Sequence, residues 1–315
     1  MVARRILLRT ACAAAIGTMA RAQNQFIGPP PHEKGPKVFL DYDQVELDAA
    51  YNQAAYALNG QQVVARHAAN SDLVRQRLGN PQRVAYGPTE IEKLDIYKTS
   101  RPNAPINIFI HGGAWRNGLA KDSGFPAELF VRAGAHYVVP DFVAVTDAGG
   151  SLPVMVNQVR RSIGWVSKNA ASFGGDPKRI YLSGHSSGAH LAAAALLDSQ
   201  AIQAALLVSG MYDLKGPRLS ARSRYIKFDD ETEDSLSPQR HLDRISIPLI
   251  VAYAGLDTPE FQRQSRDFAA ALKSAGKPVD LIRGELYNHG EFIETLGNPY
   301  GILGRAVLRQ MNVAG

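Results

Sequence analysis

Continuous apolar runs and amphipathic segments alternate along most of this chain. Unbroken apolar runs predict buried strands, and stretches whose apolar residues recur at helical spacing predict the helices between them. The predicted strands lie at 106–110, 136–140, 180–182, 204–208, 248–253 and 279–286, and the longest predicted helices at 152–172 and 259–275. Apolar strands that alternate with helices are typical of a parallel sheet covered on both faces. The pattern therefore predicts an α/β fold with a mostly parallel, doubly wound sheet.

Three segments before the first buried strand complete the predicted domain. Residues 83–86 and 92–97 predict two paired strands joined by the turn signal Gly87-Pro88. Residues 43–78 predict two amphipathic helices on the outside of the domain. Residues 23–37 are rich in Pro and Gly and predict a flexible lead-in. We expect a single domain over 38–315.

The alternation is interrupted at residues 211–242. This segment is polar and charged, carries few apolar anchors, and follows the end of a predicted strand. Insertions at that place in a sheet commonly stand over the functional site. We therefore expect 211–242, the cap segment, to form a cap or lid.

Residues 1–22 predict an export signal. Arg4-Arg5 precedes a short apolar stretch, and Ala20-Arg21-Ala22 supplies small residues for cleavage after Ala22. The paired arginines suggest the twin-arginine route to the periplasm or the exterior. The stretch is too short to span a bilayer, so no stable membrane insertion is expected. The one cysteine, Cys12, lies inside this leader, so the mature chain would have no disulfide and no thiol nucleophile.

The net charge of +6 comes mostly from the leader. Removing the leader's four arginines from the 35 basic residues leaves 31 basic against 29 acidic side chains. This near balance argues against a nucleic-acid partner. The expected partner is a small-molecule substrate, and the oligomeric state is open.

The motif Gly184-His185-Ser186-Ser187-Gly188 stands between a predicted strand and an alanine-rich helix. A serine at the tip of a sharp strand-to-helix turn has a strained backbone, and only small residues fit two positions away on either side. The turn exposes the Ser186 hydroxyl and directs the Ser187 amide toward a developing oxyanion. The motif therefore predicts a nucleophilic serine.

Two residues downstream supply the groups that activate a serine. Asp257 follows the strand at 248–253, and His289 follows the next strand, in the chain order Ser, Asp, His. Histidine would take the serine proton and the carboxylate would hold the histidine tautomer. The alternative for Asp257 is a helix cap before Pro259, and the alternative for His289 is a surface loop histidine. Asp213 is the competing candidate for the acid.

The sequence His111-Gly112-Gly113-Ala114 follows the strand at 106–110 and predicts the rest of an oxyanion hole. Glycines there allow backbone amides to approach a carbonyl oxygen, so Gly113 and Ala114 are the expected donors, with Gly112 shaping the turn and Ser187 completing the hole. Trp115, Phe142 and His185 are candidate pocket residues, each with a plain packing role as its alternative. No metal-binding or nucleotide-binding motif is present, so neither a metal nor a cofactor is expected.

These motifs carry a resemblance to a known family. His111–Trp115 (HGGAW), Gly184–Leu191 (GHSSGAHL), Ala254–Ser265 (AGLDTPEFQRQS) and Asn288–Phe292 (NHGEF) resemble the α/β-hydrolase superfamily, and within it the arylformamidase (kynurenine formamidase) and esterase branch. The resemblance runs from about residue 40 to the end of the chain. It implies that Ser186, Asp257 and His289 act as nucleophile, acid and base. Ser187 departs from the alanine that is usual at its position, and an export signal is unexpected for a kynurenine formamidase.

The sequence thus predicts a serine hydrolase that cleaves a carboxylic ester or an aryl amide through an acyl-enzyme and needs no cofactor. Two alternatives stay open at this point. One is an acyltransferase, which would use the same three residues. The other is a non-catalytic binding protein on the same fold, which would usually have lost the serine or the histidine.

Overall fold

The computed structural model describes residues 27–313, whose apolar runs form one sheet of eight strands in the order β1-β2-β4-β3-β5-β6-β7-β8. Strands β3 to β8 are mutually parallel, whereas β2 pairs antiparallel with both β1 and β4. The strands are β1 (Gln82–Ala85), β2 (Lys93–Tyr97), β3 (Ala104–Ile110), β4 (His136–Pro140), β5 (Gly175–His185), β6 (Ile202–Val208), β7 (Leu249–Ala254) and β8 (Val279–Gly284). The predicted mostly parallel α/β sheet is confirmed.

Ten α-helices are present within residues 27–313, and they cover both faces of the sheet. They are α1 (Gln44–Ala50), α2 (Gly60–Leu78), α3 (Ala127–Arg132), α4 (Leu152–Asn169), α5 (Ser187–Leu196), α6 (Lys215–Leu219), α7 (Asp230–Ser235), α8 (Pro259–Ser274), α9 (His289–Glu294) and α10 (Ile302–Gln310). The ends of the helices and strands differ from the predicted ends mainly where polar residues extend a strand or helix beyond its apolar run. β5, for example, starts at Gly175 although its residues before Ile180 are largely polar; Gly175 pairs with Ala104 of β3, and the register shifts before the pairing resumes at Ile180.

Alternate side chains of the central strands divide the core into two apolar clusters. On β3, Ile106, Ile108 and Ile110 join the cluster beneath α4, α5 and α8, whereas Phe109 joins the cluster beneath α3, α9 and α10. This division follows from the two-residue repeat of a strand, which sends successive side chains to opposite faces. A sheet buried on both faces leaves its carboxyl edge as the natural place for a site.

The cap segment is attached to the core by more apolar side chains than its sequence predicted. Expected to carry few apolar anchors, it is fixed to the core by five side chains that are at most 4% exposed, namely Met211, Tyr212, Leu214, Ile226 and Leu236. It contains α6, α7 and several short 3-10 turns. The anchors are separated by polar residues, so they form no periodic pattern in the sequence, and only folding brings them to one surface.

The amino-terminal part of the described chain is held by polar contacts. Residues 27–37 contain no helix or strand, but Gly35 donates to the Asp43 carboxylate at 2.8 Å, and Asp43 caps α1. The predicted export signal at 1–22 lies outside the described residues. Among the helices of residues 27–313, none combines the length and apolar character needed to cross a membrane.

Candidate active site

The turn from β5 to α5 places Ser186 at the carboxyl edge of the sheet in a strained backbone conformation. Ser186 has φ 58° and ψ −128°, a region that non-glycine residues rarely adopt and that is characteristic of functional turns. A Cβ on Gly188 would lie 2.2 Å from the Ile110 carbonyl oxygen, and one on Gly184 would lie 2.6 Å from the Gly188 oxygen. The small residues predicted around the serine are therefore required by the contact between β3, β5 and α5.

Asp257 and His289 meet at the same edge. Asp257 follows β7, and His289 begins α9 after β8. The His289 Nδ1–H donates to Asp257 Oδ1 at 2.6 Å, and both residues are buried, with 8% and 2% exposure. The carboxylate fixes the imidazole tautomer that leaves Nε2 as the acceptor nitrogen, the form that a general base needs.

Ser209 is a residue that the sequence pattern did not reveal. It follows β6, has φ 50°, and is fully buried. Its hydroxyl donates to Asp257 Oδ2 at 2.6 Å, and the Ala254 amide donates to the same oxygen at 2.9 Å. The Asp257 carboxylate is therefore held at both oxygens. The only available signal was the position of Ser209 directly after an apolar strand, which many unrelated residues share.

His185 connects the base to the turn that carries the serine. Its Nε2–H donates to the His289 carbonyl oxygen at 3.0 Å, and the two rings lie 4.6 Å apart between centroids. Burial, and next the neighbouring His289, hold the pKa of His185 well below its usual range. A neutral His185 can donate this bond without placing a second positive charge beside the base. Because His185 precedes Ser186 directly, this bond joins the start of α9, where His289 lies, to the serine turn.

Ser186 itself is 8% exposed, and its hydroxyl has no hydrogen-bond partner among the residues that the structure describes. Catalytic hydrogen bonds are often long before a substrate binds, so the free hydroxyl is compatible with activation by His289. Ser186 and His289 are both nearly buried, each with 8% exposure.

The loop after β3 (residues 112–117, the oxyanion loop) has the backbone conformation that the predicted oxyanion hole would need. Gly113, Ala114 and Trp115 all have positive φ, at 125°, 57° and 62°. A Cβ on Gly113 would lie 1.9 Å from the Asn117 carbonyl oxygen, so only glycine fits there. Within the described residues the Gly113 and Ala114 amides donate to no protein acceptor. Gly112 packs against Ser186, since a Cβ on it would lie 2.9 Å from the serine Cβ.

Trp115 belongs to the packing of this loop. It is 1% exposed, its amide donates to Ser187 Oγ at 3.1 Å, and its indole N–H donates to His190 Nδ1 at 3.1 Å. His190 in turn donates from Nε2 to the Leu236 carbonyl oxygen of the cap segment at 2.9 Å. The side chain of Ser187, unusual for the family that the motifs resemble, thus holds the oxyanion loop.

The other candidate pocket residue, Phe142, is 6% exposed and stacks on His111 with ring centroids 4.3 Å apart. Burial lowers the pKa of His111, whose Nδ1–H donates to the Gly112 carbonyl oxygen at 3.0 Å. His111 therefore supports the loop as a neutral ring. The competing acid, Asp213, binds Arg240 at 3.0 Å and accepts from the Lys215 amide, whereas the carboxylate in contact with His289 is that of Asp257.

One group in the described part of the chain has the composition of a metal site. His32, Asp43 and Glu46 bring their ligand atoms within 4.8 Å of one another. Their contacts have another explanation: Asp43 and Glu46 form the capping box of α1, and Lys34 binds Glu46. A lysine in contact with the carboxylate disfavours a metal cation there.

The fold and the site define a class of protein. This structure has the arrangement of the α/β-hydrolases. Its mostly parallel sheet carries a strained serine at the β5–α5 turn, a histidine–carboxylate pair at the ends of the last strands, and a glycine-rich loop after β3. Solved structures agree on the fold. Esterase LipW from Mycobacterium marinum superposes with a TM-score of 0.64 at 17% identity, over 83% of this chain and 89% of that chain. An esterase from Thermogutta terrifontis (Est2) gives 0.60 at 22% identity, over 75% and 91%.

Sequence comparison gives the family. Residues 94–257 match the family model described as BD-FAE. The kynurenine formamidase of Danio rerio is 31% identical over 290 residues, which cover 86% of this chain and 97% of that protein. Esterase LipQ of Mycobacterium tuberculosis is 31% identical over 226 residues, which cover 61% of this chain and 52% of that protein. The chain belongs to the BD-FAE family of α/β-hydrolases, together with kynurenine formamidase and esterase relatives.

Proposed function

We propose that this protein is a serine hydrolase that cleaves a carboxylic ester or an aryl amide. The observation that carries the proposal is the buried 2.6 Å hydrogen bond from His289 to Asp257 beside the strained serine turn. The kynurenine formamidase and esterase relatives act on bonds of the same two kinds, amide and ester.

In the proposed reaction, Ser186 Oγ attacks the substrate carbonyl carbon while His289 Nε2 accepts the hydroxyl proton. Asp257 stabilises the imidazolium that forms, and Ser209 keeps that carboxylate in place. The amides of Gly113, Ala114 and Ser187 donate to the oxyanion. His289 then gives its proton to the leaving alcohol or amine, and an acyl-enzyme remains. Water, deprotonated by the same histidine, releases the acid and restores the serine.

The first test is Ser186→Ala, assayed with short 4-nitrophenyl esters. We expect kcat to fall by roughly four orders of magnitude or more, because loss of a catalytic nucleophile removes the covalent route. Ser172→Ala is the matched control, since Ser172 is exposed just before β5, at the opposite end of that strand. A fluorophosphonate probe should label the wild type and Ser172→Ala but not Ser186→Ala. Near-normal turnover by Ser186→Ala would show that another group is the nucleophile.

The size of the acyl group distinguishes the two substrate classes. A pocket that accepts only a formyl group would hydrolyse N-formylkynurenine and reject phenyl acetate and phenyl butyrate. A small-acyl esterase would hydrolyse the acetate and the butyrate. The kcat/KM values of the wild type for these three compounds, each referred to Ser186→Ala as background, decide between them.

A further inference from the structure

The cap segment carries a concentration of positive charge. Residues 215–227 contain five basic side chains and no acidic one. Three of the five have carboxylate partners: Lys215 and Arg218 contact Glu233, and Arg224 contacts Asp48. Within residues 27–313, Arg222 and Lys227 have none, and neither does Arg116 of the oxyanion loop.

Arg222 is an unusual member of this group because it is buried. It is 7% exposed, and its Nη1 and Nη2 donate to the Tyr225 hydroxyl at 2.9 Å and the Tyr51 carbonyl oxygen at 2.8 Å. Its Nε is buried without an acceptor, and its Cζ lies 5.2 Å from the centre of the Trp115 ring. Burying a guanidinium that contacts only neutral groups costs free energy. A nearby anion would lower that cost strongly.

Arg116 adds a positive charge on the oxyanion loop itself. It is exposed, and its Cζ lies 4.1 Å from the centre of the Tyr225 ring, the same tyrosine whose hydroxyl binds Arg222. Arg116 is two residues after Ala114, so its Cα lies at most about 7 Å from that proposed oxyanion donor. Arg116, Tyr225 and Arg222, the arginine–tyrosine cluster, therefore join the oxyanion loop to the cap segment.

Backbone hydrogen bonds hold the two parts of this cluster in register. The Val145 amide donates to the Trp115 carbonyl oxygen at 2.8 Å, and Gly150 donates to Val145 at 2.7 Å. The Lys227 amide then donates to the Gly150 carbonyl oxygen at 2.9 Å. The oxyanion loop is thus connected through the loop after β4 to the cap segment, so the two segments that carry the arginines are tied to each other.

We propose that the arginine–tyrosine cluster binds a carboxylate of the substrate, so that the preferred substrate is an ester or amide that carries a negative charge. This inference rests on the proposed serine hydrolase function and names its substrate class. The exposed Arg116 guanidinium presents a planar pair of donors that matches a carboxylate. Arg222, acting through Tyr225, positions that site and adds positive potential in a region of low dielectric. The carboxylate can belong to the acyl part or to the leaving group.

The test compares charged and neutral substrates of nearly equal shape. For the leaving group, the pair is 4-carboxyphenyl acetate and 4-carbamoylphenyl acetate; for the acyl part, it is monophenyl glutarate and its monoamide. Each rate is divided by the spontaneous rate, and the ratio of kcat/KM for the charged ester to kcat/KM for the neutral ester is measured. We expect the wild type to prefer the charged ester of at least one pair by about tenfold or more.

Variants assign that preference to the cluster. Arg116→Gln should lower the charged-to-neutral ratio about tenfold or more, because it removes the exposed guanidinium. Tyr225→Phe keeps the ring under Arg116 but removes the hydroxyl that holds Arg222, and it should lower the ratio by a smaller factor. Arg224→Gln is the matched control: it removes an equal charge from the cap segment at a residue that Asp48 already neutralises. It should leave the ratio unchanged.

Each outcome separates this inference from the proposed function. Ser186-dependent hydrolysis of the neutral esters with no preference for a charged one overturns the carboxylate site and leaves the hydrolase. A preference that Arg224→Gln lowers as much as Arg116→Gln also overturns it, since general surface charge would then be the cause. If only N-formylkynurenine is hydrolysed, the same charged-to-neutral ratio is measured between that compound and its carboxamide. Absence of Ser186-dependent turnover for all four esters and for N-formylkynurenine overturns the proposed function and this inference with it.

Discussion

The turn that carries Ser186 and the cap segment are held in place in different ways. Around Ser186 the chain is fixed by backbone contact: Gly184 and Gly188 leave no room for a Cβ, and α5 from Ser187 to Leu196 is buried at every position. The cap segment has its five separate apolar anchors in the core, but its short helices are also joined by charged side chains, above all Glu233, which contacts Arg218 and Arg240 at 2.9 and 2.8 Å.

This difference indicates how each region can respond to change. Backbone contacts in a close-packed core cannot relax without moving whole elements, so the turn holds the serine at a fixed place. Charged contacts between side chains can be exchanged for contacts with water or a ligand at small cost. We therefore expect substitutions at the turn to act on the whole fold and those in the cap segment to have graded, local effects.

The largest effect is expected for Gly188→Ala. The new Cβ would lie 2.2 and 2.3 Å from the carbonyl oxygens of Ile110 and His111, both backbone atoms at the end of β3. We expect a loss of stability on the order of 3 kcal/mol, together with displacement of the oxyanion loop. The measurement is the free energy of unfolding from urea titration.

Gly164→Ala is the control for this substitution. Gly164 lies within α4, and nothing is found within 4 Å of the position of its Cβ. Alanine there should stabilise the protein by about 0.5–1 kcal/mol through its better helix propensity. Equal effects of the two substitutions would contradict the steric account of the serine turn.

A smaller loss of stability is expected when the pH is lowered and His190 is protonated. His190 links the two regions through its hydrogen bonds. Burial lowers the pKa of His190 to about 4, against about 6.5 in an unfolded chain. Since the unfolded state binds the proton more readily between these two values, stability falls as the pH drops from 6.5 toward 4. The expected loss at pH 5 is about 2 kcal/mol. Protonation also removes the acceptor for the Trp115 indole N–H.

Comparison with His190→Gln isolates this contribution from those of the other buried histidines. The variant should be less stable than the wild type at pH 7.5, and the difference between the two should shrink as the pH falls to 5. Urea unfolding at several pH values gives both curves. Parallel curves over the whole range would mean that His190 takes up no proton on unfolding.

The smallest loss of stability is expected for substitutions in the cap segment. Glu233→Gln leaves Arg218 and Arg240 without their shared partner, and since the Glu233 side chain is 8% exposed, we expect a loss of about 1–2 kcal/mol. Asp230→Asn removes a carboxylate from the same Arg218, but that carboxylate is 97% exposed, so the loss should be below about 0.5 kcal/mol. Thermal unfolding compares the two. A larger loss for Asp230→Asn would contradict the dependence on burial.

Much of the fold could be predicted from local patterns in the amino-acid sequence. The apolar runs predicted the buried strands because a strand covered on both faces needs apolar side chains throughout. The glycines beside Ser186 predicted the turn because few residues tolerate its crowding. The chain order of Ser186, Asp257 and His289 placed all three after strands whose carboxyl ends meet at one edge, and there His289 and Asp257 are in contact.

Other features were decided only by the tertiary structure. Ser209 is near Asp257 because β6 and β7 are neighbours. The buried Trp115 donates to Ser187 and His190, which lie 72 and 75 positions further along the chain. Arg222 is one of five basic residues in its segment, and nothing local distinguishes it from Arg224, which has a carboxylate partner. The steric requirements of a crowded turn leave a signature in the sequence, because only the smallest residues fit there. Charge pairing between segments far apart in the chain leaves none, because it depends on which segments the fold brings together.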